Sequence, residues 1–183
     1  MTEQAPLLTV IDMQRIFGDP DSEWATPGFD KIVEPIATLV DAYAPRVLFT
    51  RFVAPEVPEG AWQDYYKAWP FALQPPDAPA YQLVDRFAGH PTLDAPTFSK
   101  WGDELAGQVG PGGTMVLTGV STDCCVITTA LAAVDAGVHV RVVADACAGV
   151  DDKTHQQALD IMSLYAPQLE LTTVSDLLSS TVR

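Results

Sequence analysis

Short apolar runs alternate with segments of helical periodicity along this chain, and that alternation leaves few folds open. Leu7-Leu8-Thr9-Val10-Ile11 is almost continuously apolar, the pattern of a strand buried on both faces. After it, Ile32, Val33, Ile36, Leu39, Val40 and Tyr43 recur at helical spacing within 29–44, and Pro45 stops the run. The same reading predicts strands over 46–50, 97–99 (a short one), 114–118, 138–143 and 169–173. Helices are predicted over 103–109, 122–136, 153–165 and near Leu178, with Gly137 as the residue just past the second of these. Strand–helix alternation means βαβ units. The expected fold is a three-layer α/β/α arrangement around a parallel sheet of five or six strands. At 183 residues the chain is expected to form one domain, 1–183.

Residues 52–96 break the pattern. They are rich in proline and carry Trp62, Tyr65, Tyr66, Trp69, Phe71 and Tyr81. A loop this long in a compact domain is usually functional. Its aromatic side chains suit three purposes equally: lining a pocket, packing an oligomer interface, or holding the loop down.

Composition excludes partners more than it suggests them. With a formal net charge of −14 and ten Lys and Arg in all, the chain lacks the clustered cations that phosphate neutralisation requires, so no nucleic-acid partner is expected. No apolar run approaches the roughly 18 residues of a membrane span. Met1-Thr2-Glu3-Gln4 lacks the basic start of a signal peptide. The three cysteines, Cys124, Cys125 and Cys147, cannot all pair, and neighbours seldom pair with each other. Free thiols in a reducing cytoplasm are the expectation.

Chemistry concentrates in Leu117-Thr118-Gly119-Val120-Ser121-Thr122-Asp123-Cys124-Cys125-Val126, where a strand runs through a glycine turn into a helix with cysteine in its first turn. The positive end of a helix dipole lowers a cysteine pKa, and thiolate is the nucleophile. Ligands of parallel α/β sheets sit beyond the carboxyl ends of the strands. Three kinds of reactive residue fall at such ends: Asp12, Lys100, and Cys124 or Cys125. A carboxylate can take the thiol proton and an ammonium can stabilise the thiolate. Singly, each has a bland alternative: a capping Asp, a solvated Lys, a small core Cys. Their joint placement at one sheet edge is what carries information.

These motifs make the chain resemble the isochorismatase-like cysteine hydrolases. The resemblance rests on Val10-Ile11-Asp12-Met13-Gln14 followed by Phe17, on Phe98-Ser99-Lys100-Trp101, on the 119–126 segment, and on the strand running into Ala144-Asp145-Ala146. It implies a Rossmann-like sheet and a catalytic triad of Asp12, Lys100 and the cysteine six positions after Gly119, which is Cys125. Cys124 then takes a core-facing or flanking place, since adjacent helical residues point about 100° apart. The resemblance further implies a cis peptide at Val120–Ser121 and an oxyanion hole formed by the N–H groups of Ser121 and Cys125. Phe17, Trp101 and Gln14 are implied near the substrate, with Trp62 or Trp69 beside them, and Arg51 is a candidate to meet a substrate carboxylate.

The activity implied is two-step hydrolysis of a C–N bond in a small amide, carbamoyl or ureido substrate through a thioester on cysteine, without a cofactor, in a homodimer or homotetramer. Nicotinamidases of this kind carry a metal site built on Asp-x-His after the second strand. Here that place reads Thr50-Arg51-Phe52-Val53, and His90, His139 and His155 show no metal-ligand spacing, so no catalytic zinc is expected. Two other readings stand as alternatives: vinyl-ether hydrolysis of the isochorismatase type, and a non-catalytic binding module on the same fold. A nicotinamide-dependent oxidoreductase is disfavoured, because Asp12-Met13-Gln14-Arg15 replaces the glycine-rich turn it would need after the first strand.

Overall fold

Burial on both faces, read from the apolar run at the start of the chain, holds for every residue of β1 (Leu7–Ile11) in the computed structural model, which describes residues 5–181. Its odd-numbered side chains point one way and its even-numbered ones the other, the period-2 alternation of a pleated strand. Leu8 and Val10 join one hydrophobic core, Leu7 and Ile11 a second.

β1 lies in the middle of a six-stranded, all-parallel sheet with β2 (Val47–Phe52), β3 (Thr92–Ala95), β4 (Thr114–Val120), β5 (His139–Ala148) and β6 (Leu169–Thr172). The strand order is β3-β2-β1-β4-β5-β6. The order in which the chain adds strands reverses between β1 and β4, and a crevice opens beyond the carboxyl ends there. Helices α1 (Arg15–Gly18), α2 (Phe29–Tyr43), α3 (Trp62–Ala68), α4 (Asp103–Val109), α5 (Ile127–Asp135), α6 (Asp152–Ser163) and α7 (Val174–Thr181) complete the outer layers. The first core is closed by Ile32, Ile36 and Leu39 of α2 together with Tyr66, Tyr81 and Phe87 from the long loop. Leu105 of α4, Ala130 and Ala133 of α5, and Leu159 and Met162 of α6 close the second.

Three expectations need correction. The short third strand is not 97–99 but Thr92–Ala95, which pairs with β2 from Phe49↔Thr92 to Phe52↔Ala95. As an edge strand it buries only Leu93, so its apolar signal is faint, and Pro96, lacking an N–H, ends the ladder. The 52–96 segment is mostly irregular but holds α3 and three short 3₁₀ turns. The expected helix over 122–136 begins as a π-helical turn, Thr122–Val126, before α5. Among the described residues no helix is long and apolar enough to cross a membrane.

Candidate active site

Asp12 follows β1 directly and is fully buried. Its φ of +50° lies in the left-handed region, which Asp and Asn enter more readily than other side-chain-bearing residues. Its N–H donates to Thr50 Oγ1 (3.2 Å), and that hydroxyl donates back to Asp12 Oδ1 (2.7 Å). Thr50 on β2 thereby fixes one carboxylate oxygen. The other, Oδ2, lies 3.0 Å from Lys100 Nζ in an ion pair whose two side chains are both 0% exposed.

Lys100 arrives from the loop after β3. Its ammonium also donates to the Thr97 carbonyl (2.9 Å) and stands 5.4 Å from the centre of the Phe52 ring. Its backbone N–H donates to Thr129 Oγ1 (2.9 Å), and the Thr129 hydroxyl donates to the Cys125 carbonyl (2.7 Å). One hydroxyl on α5 therefore ties the lysine to the backbone of the cysteine.

Cys125 enters from β4. Gly119 adopts φ +108°, and a Cβ there would lie 2.1 Å from the Ile11 carbonyl oxygen, so only glycine lets β4 approach β1 this closely. The next peptide, Val120–Ser121, is cis. The Ser121 carbonyl then accepts from the N–H groups of Cys124 and Val126, both at 3.1 Å, and not from Cys125 as a regular α-helix would have it. Such π-type widening recurs at functional sites.

The wider turn changes the roles of the two cysteines. Cys124 and Cys125 both line a single cavity of about 370 Å³, because a π turn advances each residue by less than an α-helix does. The expectation that only one would face the pocket is thus corrected. So is the expected lowering of the Cys125 pKa by the helix start. A hydrogen bond with Cys124, burial and the Asp12 carboxylate push Cys125 well above the ordinary thiol value, with Lys100 opposing. Cys125 rests as a thiol. Cys124 is pulled down, chiefly by the same hydrogen bond. Cys147, paired with Gly119 near the carboxyl end of β5, is raised by burial to about 12. Cys124 is the only partly exposed thiol of the three, so iodoacetamide at pH 7 is expected to alkylate it first and to leave Cys147 untouched; peptide mass mapping in which Cys147 labels first would contradict this order.

Around the thiols stand Phe17, Trp24, Phe52, Tyr65, Trp69 and Phe98. Burial and, secondarily, Cys124 and Cys125 raise the Tyr65 hydroxyl above its ordinary value, so it stays protonated. Trp24 joins them from outside the predicted elements: Phe17, Phe52, Tyr65, Trp69 and Phe71 all have ring centres within 6.1 Å of it. A lone tryptophan between 18 and 28 carries no periodic signal that would have revealed it.

Of the suggested substrate contacts, Phe17 lines the cavity, as does Trp69 of the pair Trp62 or Trp69; Gln14, Arg51, Trp62 and Trp101 do not. Gln14 is fully buried, donating to the carbonyls of Phe52 (2.9 Å) and Tyr81 (2.8 Å) and accepting from the Phe52 N–H (2.7 Å). It pins β2 to the long loop and has no group left for a ligand. Gln14→Leu is expected to cost about 2–3 kcal/mol in urea unfolding, because buried backbone groups lose their partners; a loss under ~1 kcal/mol would deny it this role. Arg51 is held by Asp94, its cross-strand neighbour, through a two-pronged contact (2.8 and 2.6 Å) that raises its pKa further. Trp62 packs on Tyr65, Tyr66 and Phe98, a layer behind the cavity wall. Trp101 packs against the second core.

These elements make a three-layer α/β protein with a buried carboxylate–ammonium pair and a cavity-lining thiol at the switch point of its parallel sheet. The chain belongs to the isochorismatase family: the model for the isochorismatase domain matches residues 6–176. Similar solved structures include a cysteine hydrolase from Pseudomonas syringae pv. phaseolicola 1448A, 19% identical with a TM-score of 0.83, covering 97% of this chain and 92% of that one. An isochorismatase family protein from Desulfovibrio vulgaris subsp. vulgaris str. Hildenborough is 20% identical with a TM-score of 0.81, covering 99% and 100%. The pyrazinamidase of Pyrococcus horikoshii, in complex with zinc, is 23% identical with a TM-score of 0.74, covering 93% and 99%. None of the curated protein sequences matches the chain.

The donor set here does not suit zinc. Arg51 and Asp94 neutralise each other at the end of β2, and among the described residues no three His, Cys, Asp or Glu side chains converge as ligands.

Proposed function

We propose that this protein is a cysteine-dependent hydrolase of C–N bonds in a small amide, carbamoyl or ureido substrate, with Asp12, Lys100 and Cys125 as its catalytic groups. One observation carries the reading: a fully buried Asp12–Lys100 ion pair at the same sheet edge as a thiol on the cavity wall. Burying two charges is expensive, and such pairs are weak devices for stability. Their retention beside a nucleophile is what a proton-transfer site requires.

Because Cys125 rests protonated, the base acts as the attack occurs. Asp12 Oδ2, which accepts no aligned hydrogen bond, takes the thiol proton while sulfur bonds to the substrate carbonyl carbon. The N–H groups of Ser121 and Cys125 stabilise the oxyanion. Asp12 returns the proton to the departing nitrogen, the C–N bond breaks, and ammonia or an amine leaves a thioester. Water, deprotonated by Asp12, then releases the acid and restores the thiol. Lys100 keeps the carboxylate oriented throughout.

The test is a panel of primary amides, carbamoyl amino acids and ureides assayed for ammonia release, with Cys125→Ala beside the wild type. The variant is expected to fall to background on every substrate the wild type accepts. Full activity in Cys125→Ala would end the reading, and release of pyruvate from a vinyl ether would favour the isochorismatase-type alternative.

A further inference from the structure

Given that reading of the site, we propose that the cavity selects amides whose far end carries a weakly hydrated cation, a tertiary or quaternary ammonium group. Six aromatic side chains line it, and Glu23 is the one carboxylate or cation among its lining residues. A substrate carboxylate would find no partner there. Arg51 is engaged by Asp94 and Lys100 by Asp12, and neither lines the space. An anion desolvated without a partner is strongly disfavoured.

A cation meets the opposite conditions. Ring faces attract it electrostatically, Trp most of all, and the attraction grows as water is excluded. Phe52, between the cavity and the ion pair, already carries the Lys100 ammonium 5.4 Å from its ring centre. Trp24 is held by five neighbouring rings, so little ordering is left for a ligand to impose. Glu23, next in sequence, supplies the counter-charge at the rim, and it is exposed. The net charge of −14 further enriches cations at the surface and repels anions.

Two probes of nearly equal shape isolate the charge, which three methylenes keep from activating the carbonyl inductively: 4-(trimethylammonio)butanamide and 5,5-dimethylhexanamide. The wild type is expected to hydrolyse the cation with a kcat/KM about tenfold or more above the neutral isostere. The ratio is expected to fall toward one in Trp24→Leu and severalfold in Glu23→Gln, a surface change that leaves the core intact, and to shrink with added salt. Equal rates, or a preference for the neutral probe, would overturn the proposal while leaving the hydrolase reading standing. Should neither probe turn over, binding decides. Titration of Cys125→Ala, followed by tryptophan fluorescence, is expected to saturate at about tenfold lower cation than isostere. Indistinguishable titrations would overturn the proposal on their own. Failure of the whole amide panel, with cation binding retained, would sink the hydrolase reading instead.

Discussion

Replacing Lys100 by methionine is expected to destabilise the protein by about 3–5 kcal/mol and, on the proposed reading of the site, to abolish amide hydrolysis. The side chain is 0% exposed, and its ammonium holds Asp12 Oδ2 at 3.0 Å and the Thr97 carbonyl at 2.9 Å. Methionine fills much the same volume and removes the charge. Asp12 is then left as an uncompensated carboxylate in a dry site, with Thr50 still bound to one oxygen.

The reciprocal change, Asp12→Asn, keeps the left-handed backbone accessible but strands the ammonium, so it too is expected to be costly. Combining the two removes both charges. The double variant should recover much of the stability of the worse single one, because a buried pair can be replaced by neutral groups at little net cost. Urea unfolding of the four proteins measures the coupling directly. A Lys100→Met loss below ~1 kcal/mol would mean that the pair does not need its partner, and the electrostatic account of the site would fail with it.

Gly119→Ala is the second large effect. Its Cβ would sit 2.1 Å from the oxygen and 2.8 Å from the nitrogen of Ile11, and both contacts are backbone atoms of the central strand. Relief requires prising β4 from β1 at the Ile11↔Gly119 pair, one residue before Asp12. A cost of about 4 kcal/mol or more is expected, with activity lost in any fraction that folds. Gly137→Ala provides the control. It too has a positive φ, +84°, but nothing lies within 4 Å of its Cβ, so only the backbone term of about 1 kcal/mol remains. Chemical denaturation giving the two variants equal stability would refute the close-approach explanation.

Local patterns carried most of the layout. Strands buried on both faces, such as Leu7–Ile11 and Thr114–Val120, announce themselves by unbroken apolarity, and α2 by its period. The edge strand Thr92–Ala95 and the helix Trp62–Ala68 did not, since each buries little and sits among prolines. Asp12 and the Cys124–Cys125 pair were legible as neighbours because strand ends converge in a parallel sheet; the choice of Cys125 came from the family motif, and Lys100 lies five residues past the end of β3. Gln14 and Arg51 look free in the sequence for one reason. Their partners, Phe52, Tyr81 and Asp94, lie 38 to 67 residues away, and sequence spacing does not tell a polar side chain that is already satisfied from one that is free. The sharing of the cavity by both cysteines depended on a π turn, which leaves no mark in residue order.

The two hydrophobic cores divide the labour of the crevice. Phe17 and Phe52, with Trp24, Tyr65 and Trp69 packed against them, belong to one side of the sheet; Cys125, with Phe98 beside it, belongs to the other. The proposed recognition surface and the proposed reacting thiol are thus anchored in different packing units, which touch where Phe98 meets Trp62 and Tyr65. A lineage, or an engineer, can exchange rings on the first side to admit a differently shaped molecule without disturbing the packing beneath the nucleophile. On the proposed reading, the architecture uncouples what is bound from what is done to it.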